Sequence, residues 1–187
     1  MDTLLASIAR PPPATTAFIE VRFSQLLARP LIVRGELEHL RGGALIRNVT
    51  EPFKERTEID GDRVSVEREG KPPRYFSLQS IPGLAGLLGG FAAVLGGSRA
   101  AVEQDFNLAL QGDTAHWRLE LRPKSPRQSR YVHDIAIYGR DAAPRCIVVT
   151  PPDRSPEIML VESAARTELP SPPTLQWLRQ FCDSGGA

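Results

Sequence analysis

The chain has 187 residues, of which 41% are hydrophobic, so it is long enough for one domain with a buried core and too short for two comfortable ones. Its 23 basic and 22 acidic residues leave a formal charge of +1. That balance excludes the strongly basic surface by which proteins recognise nucleic acid or an anionic membrane. We therefore expect a single domain over residues 1–187 and no nucleic-acid partner.

The first residues predict a short helix. Leucine and isoleucine lie at helical spacing within Asp2–Ile8, and the prolines at 11–13 end the pattern. A signal peptide begins with a basic residue and continues as an apolar stretch, and neither is visible after Met1. Taken alone this favours the cytosol, and it equally fits a chain whose signal sequence has been replaced by Met1.

From residue 19 onward the pattern is that of β-strands. Apolar residues at 19, 21 and 23 alternate with polar residues at 20, 22 and 24, and a second alternation covers 31–38. Such period-2 patterns suit a sheet with one wet face and one dry face. Further strands are predicted at 53–59, 63–68, 74–78, 106–110, 116–121, 131–138, 146–150 and 157–162.

Short turns separate these strands, most clearly at Asp60-Gly61-Asp62. Roughly ten strands in this arrangement predict one large antiparallel sheet, strongly curved or barrel-like. The tail reads as a linker at 170–173 and a small helix at 175–181. The spacing of Cys146 and Cys182 matches no zinc or redox motif, so two separate thiols are the simpler interpretation, and a disulfide in an oxidising compartment stays open.

One uncharged segment, residues 77–98, interrupts the β pattern. It carries apolar residues at helical spacing, and a polar helical turn or two follows at 99–105. Pro82 and six glycines argue against a transmembrane helix. Two interpretations remain, a pair of core helices that cap the sheet and a movable lid over an apolar cavity. Glycine costs a helix about 1 kcal/mol relative to alanine, and such loosened helices suit a lid.

No pattern of catalytic or metal-binding residues is visible. His39, His116 and His133 lack a cysteine, histidine or carboxylate at a metal-ligand spacing. Phosphate-loop, dinucleotide and nucleophile-elbow motifs are absent, and Cys182 has no base near it in sequence. We therefore predict no catalytic residue, metal or cofactor. Two alternatives stay open, an enzyme that acts on an acyl substrate through His116 or His133, and a non-catalytic envelope interaction domain whose central helices are only core.

The order and spacing of several weak motifs carry a resemblance to a known family. The stretch from Gly35 through Arg41 to Leu45 is followed by Thr50-Glu51-Pro52, by the Asp60-Gly61 turn and by a later hairpin at 106–124. Over about residues 18–162 the chain resembles the LolA-like outer-membrane lipoprotein carriers. It looks closest to a LolA-related branch, some of whose members accompany gene clusters for aryl-polyene pigments and lipids.

The resemblance implies a mainly β (α+β) fold, in which a single curved antiparallel sheet forms an incomplete, LolA-like β-barrel with helices as a lid. The apolar lid insert would cover about residues 80–105 and the C-terminal tail about 168–187. Arg41 matches the family arginine that bonds the lid backbone and holds the empty carrier shut; a solvated turn residue is the alternative. Leu45 matches a cavity-lining position. The lid residues that correspond by position are Leu84, Leu87, Leu88, Phe91, Val94 and Leu95.

The resemblance also implies a function. The chain would be a periplasmic carrier, not an enzyme, that holds lipoprotein acyl chains or a related acyl or polyene lipid and passes it toward the outer membrane. Its partners would be an inner-membrane donor and an outer-membrane acceptor, and we expect a monomer. The family proline after Arg41 is Gly42 here, and a family aromatic position falls on Arg47, an unexpected residue for an apolar cavity. Both departures argue against a standard triacylated lipoprotein as the cargo.

Overall fold

A computed structural model describes residues 1–24, 26–80 and 99–184. The strands are β1 (Ala14–Arg22), β2 (Leu31–His39), β3 (Leu45–Glu51), β4 (Glu55–Asp60), β5 (Arg63–Arg68), β6 (Arg74–Ser77), β7 (Phe106–Gly112), β8 (Trp117–Pro123), β9 (Asp134–Arg140), β10 (Ala143–Thr150) and β11 (Glu157–Val161). The helices are α1 (Asp2–Ile8), α2 (Arg99–Asp105), α3 (Pro126–Ser129) and α4 (Leu175–Asp183), with 3-10 turns at Leu78–Ser80 and Glu162–Arg166.

The eleven strands form one antiparallel sheet in the order β6-β5-β4-β3-β2-β1-β11-β10-β9-β8-β7. Strands that follow one another in the chain pair with each other, except β6 and β7, and the β1–β11 pair joins the two halves of the sheet. Within the described residues the edge strands β6 and β7 do not pair, so the sheet is not closed. The predicted mainly β fold, a large curved antiparallel sheet in an incomplete barrel, is confirmed.

Most strands lie where the sequence pattern places them, and one local error has a clear cause. The predicted strand at 131–138 begins only at Asp134 because the short helix α3 precedes it. Ser125 caps α3 by accepting a hydrogen bond from the Arg127 N–H, and Pro126 occupies the first turn. Serine followed by proline is a recognised helix start, which the strand pattern obscured.

The sheet buries apolar side chains on both faces. On the inner face, Phe18 of β1 packs with Leu5 and Ile8 of α1 and with Val102 of α2. On the outer face, Ile19 packs in a second cluster beneath α4. The predicted division of β1 into a dry face and a wet face is therefore wrong. Its polar residues point inward, beside Phe18, while the outward face is covered by α4.

A disulfide joins Cys146 of β10 to Cys182 of α4, so the interpretation as two separate thiols is wrong. Both cysteines are buried in the outer cluster, together with Leu178 of the same helix. Thr174 caps α4 by accepting a hydrogen bond of 3.1 Å from the Trp177 N–H. A nine-residue helix has little stability alone, so its packing and the cross-link together hold it against the sheet.

Two glycines permit close approaches that shape the sheet. A Cβ atom on Gly35 would lie 1.9 Å from the carbonyl oxygen of Asn48, beside a register shift between β2 and β3. A Cβ on Gly139 would lie 2.0 Å from the Trp117 ring, which packs against that backbone. The Trp117 indole donates a 2.8 Å hydrogen bond to the Asp141 carbonyl. Neither site accepts a side chain without local rearrangement.

The predicted lid falls largely outside the described residues, which resume at Arg99 with α2. The six apolar lid positions from Leu84 to Leu95 all lie outside the described residues. None of the helices that the structure describes is both long and apolar enough to cross a membrane.

Candidate functional site

A cavity of about 360 Å³ lies on the inner face of the sheet. This volume falls within the roughly 300–1,000 Å³ usual for small-molecule sites. Residues from both halves of the sheet and Ile8 of α1 line it, so the strands curve around it. Its apolar wall includes Leu37, Leu45, Ile59, Val66, Phe76 and Ile147.

Strand register explains why one end of the cavity is apolar. In the paired strands Leu45 stands opposite Ile59, and Val64 stands between Ile59 and Phe76. Paired residues share a face of the sheet, so these side chains form one apolar row. Leu45 lies in this wall, and its role in binding lipid stays a prediction.

The opposite end of the cavity carries an ion-pair network of six residues: Glu157, Arg22, Glu20, Arg47, Glu55 and Arg68. Glu20 is its centre, with its side chain only 4% exposed. One Glu20 oxygen accepts a hydrogen bond from Arg22 Nε, and the other lies 2.6 Å from Arg47 Nη2.

The network continues from this centre in both directions across the sheet, through β3, β4 and β5 on one side and to β11 on the other. Arg47 Nη1 lies 3.6 Å from Glu55, whose second oxygen lies 3.0 Å from Arg68 Nε. On the other side Arg22 Nε lies 3.9 Å from Glu157. Arg22, Arg68 and Glu157 remain about 36–43% exposed, so this end of the cavity opens toward water.

The backbone brings Arg47 and Glu20 together across two strand pairings. Arg47 lies on β3 and Glu20 on β1, and the Arg47 guanidinium passes over the Phe18 ring, 5.0 Å from its centre. Gly35 of β2 stands opposite Phe18 in register and carries no side chain to obstruct this path. Because Gly35 has no side chain, the Arg47 side chain can cross β2 and contact Glu20 on β1.

Burial and charge act in opposite directions on the Glu20 carboxyl. Burial alone would raise its pKa, but the charges of Arg47 and Arg22 and their hydrogen bonds hold the pKa below its ordinary value of 4.5. Glu157 differs, because burial raises its pKa and Arg22 offsets only part of that effect. Glu20 is therefore the firmly ionised centre of the network, while burial disfavours the ionised form of Glu157.

Arg47 is accommodated in the cavity because its charge is balanced there by Glu20 and Glu55. Sequence reasoning identified Arg47 as unusual but missed these partners. It assigned the alternating polar residues of β1 to solvent, whereas Glu20 and Arg22 face the cavity. The available signal was the pairing of opposite charges two residues apart on one strand, which places both on one face.

The histidines are placed differently from the expectation for an acyl-processing enzyme. Neither His116 nor His133 is among the residues that line the cavity, and both are exposed. His133 instead lies 2.7 Å from Asp134. The histidine at the cavity is His39, whose buried Nδ1 has no hydrogen-bond partner among the described residues. The expectation that His116 or His133 supplies a polar group to the cavity is therefore wrong.

Arg41 lies exposed in the turn between β2 and β3. Its side chain forms no hydrogen bond or ion pair with the residues that the structure describes, and its expected lid partners are outside them. The latch role of Arg41 stays a prediction.

Across the described ranges, no three histidine, cysteine or acidic side chains are grouped so that they could hold a metal ion.

The sequence matches the family described as outer membrane lipoprotein carrier protein LolA-like over residues 1–182. Comparison with curated proteins gave no significant match. Among solved structures, a LolA superfamily protein from Nitrosomonas europaea is 12% identical with a TM-score of 0.46, covering 90% of this chain and 94% of that one. LprF from Mycobacterium bovis is 13% identical with a TM-score of 0.40, covering 92% and 97%. Because both TM-scores are below 0.5, the family assignment depends on the sequence match over residues 1–182 alone.

Proposed function

Because the chain belongs to the LolA-like family of outer membrane lipoprotein carrier proteins, we propose that it carries lipid-modified cargo in its cavity and passes that cargo toward the outer membrane. The cargo is a lipoprotein acyl chain or a related acyl or polyene lipid. The observation that carries this proposal is the apolar cavity on the inner face of the open sheet.

The physical need for such a carrier follows from hydrocarbon solubility. Burying one methylene is worth roughly 0.8 kcal/mol, so a long acyl chain in water is disfavoured by on the order of 10 kcal/mol. Such a chain does not cross an aqueous compartment unaided. The row of Leu45, Ile59 and Phe76 offers it a matching apolar surface.

The proposal includes a cellular setting. The carrier acts in the periplasm as a monomer, receives cargo from an inner-membrane donor and delivers it to an outer-membrane acceptor. An aryl-polyene lipid is one candidate cargo, in keeping with the branch that the sequence resembles. The disulfide between Cys146 and Cys182 suits an oxidising compartment of this kind.

Filling the cavity should block binding. Leu45→Trp places a large ring in the apolar wall, and we expect the affinity for a fluorescent fatty acid to fall at least about tenfold, or 1.4 kcal/mol. Because the ring enters open space, the unfolding midpoint should change little compared with overpacking of a full core. Fluorescence titration measures the affinity, and circular dichroism confirms the fold.

The matched control is Glu36→Trp, on the neighbouring strand but exposed. It should bind the probe as the parent chain does. If Leu45→Trp binds with unchanged affinity while folded, the cavity is not where the acyl chain resides.

The latch proposal for Arg41 has its own test. Arg41→Leu should speed both uptake and release of the fluorescent fatty acid by about two- to tenfold, the effect of losing one or two hydrogen bonds that favour a closed state. Stopped-flow transfer to acceptor vesicles measures this rate. Arg63→Leu, which changes an exposed arginine at the start of β5, is the control. Equal transfer rates in both variants and the parent would remove the latch role.

A further inference from the structure

The cavity is apolar at one end and charged at the other, and this asymmetry bears on which molecules it holds. The apolar row lies at the end of the sheet where Leu45, Ile59 and Phe76 meet. The network residue on the same strand as Leu45 is Arg47, and Arg47 pairs with Glu20, which lies farther from the apolar row. A molecule that spans the cavity therefore contacts hydrocarbon at one end and the guanidinium and carboxylate groups of the network at the other.

A contribution to the stability of the folded chain does not explain the ion-pair network. Replacing buried ion pairs with apolar residues of similar volume is often neutral or stabilising in proteins. An apolar cavity wall with further leucine or phenylalanine residues would serve a pure hydrocarbon at least as well. The charged side chains also line the cavity itself, where the network contributes Glu20, Arg22, Arg47, Glu55 and Glu157 to the wall.

The network holds more hydrogen-bond donors than its own carboxylates use. A guanidinium carries about five N–H donors and no acceptor. Within the described residues, Glu20 accepts one hydrogen bond from Arg22 and one from Arg47. The contacts of these arginines with Glu55 and Glu157 are longer ion pairs of 3.6 and 3.9 Å. Donors on Arg22 and Arg47 are therefore available to oxygen atoms of a bound molecule.

We propose that the cavity selects amphiphiles whose oxyanion head group, a carboxylate or a phosphate, binds Arg47 and Arg22 while the chain lies against Leu45, Ile59 and Phe76. This inference rests on the proposed function and adds the class of head group. Glu20 is a positioning residue, because it holds both guanidiniums at the cavity wall. Glu157 is the carboxylate that the head group displaces, since its contact with Arg22 is the longest in the network.

The experiment compares ligands with the same chain and different heads. A bound fluorescent fatty acid is displaced from the full chain by palmitate, hexadecyl phosphate, hexadecanol and hexadecylamine. We expect at least one of the two oxyanions to bind about tenfold or more tightly than hexadecanol, the gain typical of a charge-assisted hydrogen bond. Their order identifies which oxyanion the network takes. Tighter binding of hexadecylamine than of both oxyanions would overturn the head-group proposal, because the cavity wall also carries the carboxylates of Glu20, Glu55 and Glu157.

Arg47→Met should abolish the preference for oxyanions while hexadecanol still binds. Arg56→Met is the matched control, because Arg56 lies one strand away, is 41% exposed and pairs with Glu58 outside the network. The double variant Glu20→Leu with Arg47→Leu removes both partners of the central pair, and it keeps the test valid if Arg47→Met alone does not fold.

The outcomes separate this inference from the proposed function. Equal affinity of the parent chain for palmitate, hexadecyl phosphate and hexadecanol overturns the head-group proposal and leaves the carrier proposal standing. Equal loss of all four ligands in a folded Arg47→Met variant also overturns it, because the residue would then act only on cavity shape. Failure of every ligand to bind the parent chain overturns both proposals.

Discussion

Replacing Cys146 and Cys182 together by alanine is expected to lower the free energy of unfolding by about 4 kcal/mol. The cross-link closes a loop with a sequence separation of 36 residues, and the loss of that constraint on the unfolded chain corresponds to about this value. Without it, the nine-residue α4 is held only by side chains such as Leu178. Chemical denaturation of the oxidised parent and the double variant measures the difference.

Reduction provides the control for this prediction. Adding a reductant should shift the parent chain toward the stability of the double variant and leave the variant itself unchanged. Because Cys146 and Cys182 lie on the outer face, opposite the cavity, the folded variant should bind the acyl probe with the affinity of the parent. Equal stability of the variant and the oxidised parent would contradict the proposed role of the cross-link.

Glu20→Gln is expected to destabilise the chain by about 3 kcal/mol at neutral pH. The change leaves Arg22 and Arg47 without their shared carboxylate, and removing one partner of a buried pair typically costs about 3–5 kcal/mol. The lower end applies because Arg22 is 40% exposed and stays partly hydrated. Glu58→Gln is the control, since Glu58 is 40% exposed on the outer face and its pair with Arg56 should contribute at most about 1 kcal/mol.

The same residue predicts a dependence on pH. The pKa of Glu20 is lower in the folded chain than its ordinary value of 4.5, so its stabilising contribution is fully present above pH 4.5 and is lost as pH falls through the folded-state pKa. The stability difference between the parent and Glu20→Gln should therefore shrink in acid. A difference that stays constant into strong acid would contradict the assignment of Glu20 as the ionised centre of the network.

Local patterns predict most elements of the fold. The helix Asp2–Ile8 and the strand Arg63–Arg68 lie where helical spacing and the Asp60-Gly61-Asp62 turn place them. Regular alternation, short turns and strand number together predicted a single large antiparallel sheet. These features depend on residues close in sequence, which is why they can be read from the chain.

The faces of β1 could not be predicted because they depend on distant segments. Ile19 is covered by α4, whose residues lie more than 150 positions later in the chain. Glu20 is buried inside because Arg47 reaches it from another strand. The alternation of polar and apolar residues identifies a strand but does not state which face a later helix will cover. The disulfide escaped prediction for the same reason.

The cavity itself was anticipated through family resemblance, and its charged end was not. The resemblance placed Leu45 in an apolar wall and an aromatic residue where Arg47 stands. It carried no information about Glu20 or Glu55, whose importance follows only from the folded positions of their partners. The residues that distinguish this chain from a purely apolar carrier are thus those that only the three-dimensional arrangement brings together.

Mass spectrometry of organic extracts tests the central proposal most directly. The protein should be purified in folded form, without detergent, from cells that make its cargo. We expect an equimolar amphiphile with a long acyl or polyene chain. A folded, unliganded sample that yields no chain-bearing molecule and takes up no fatty acyl probe would contradict it.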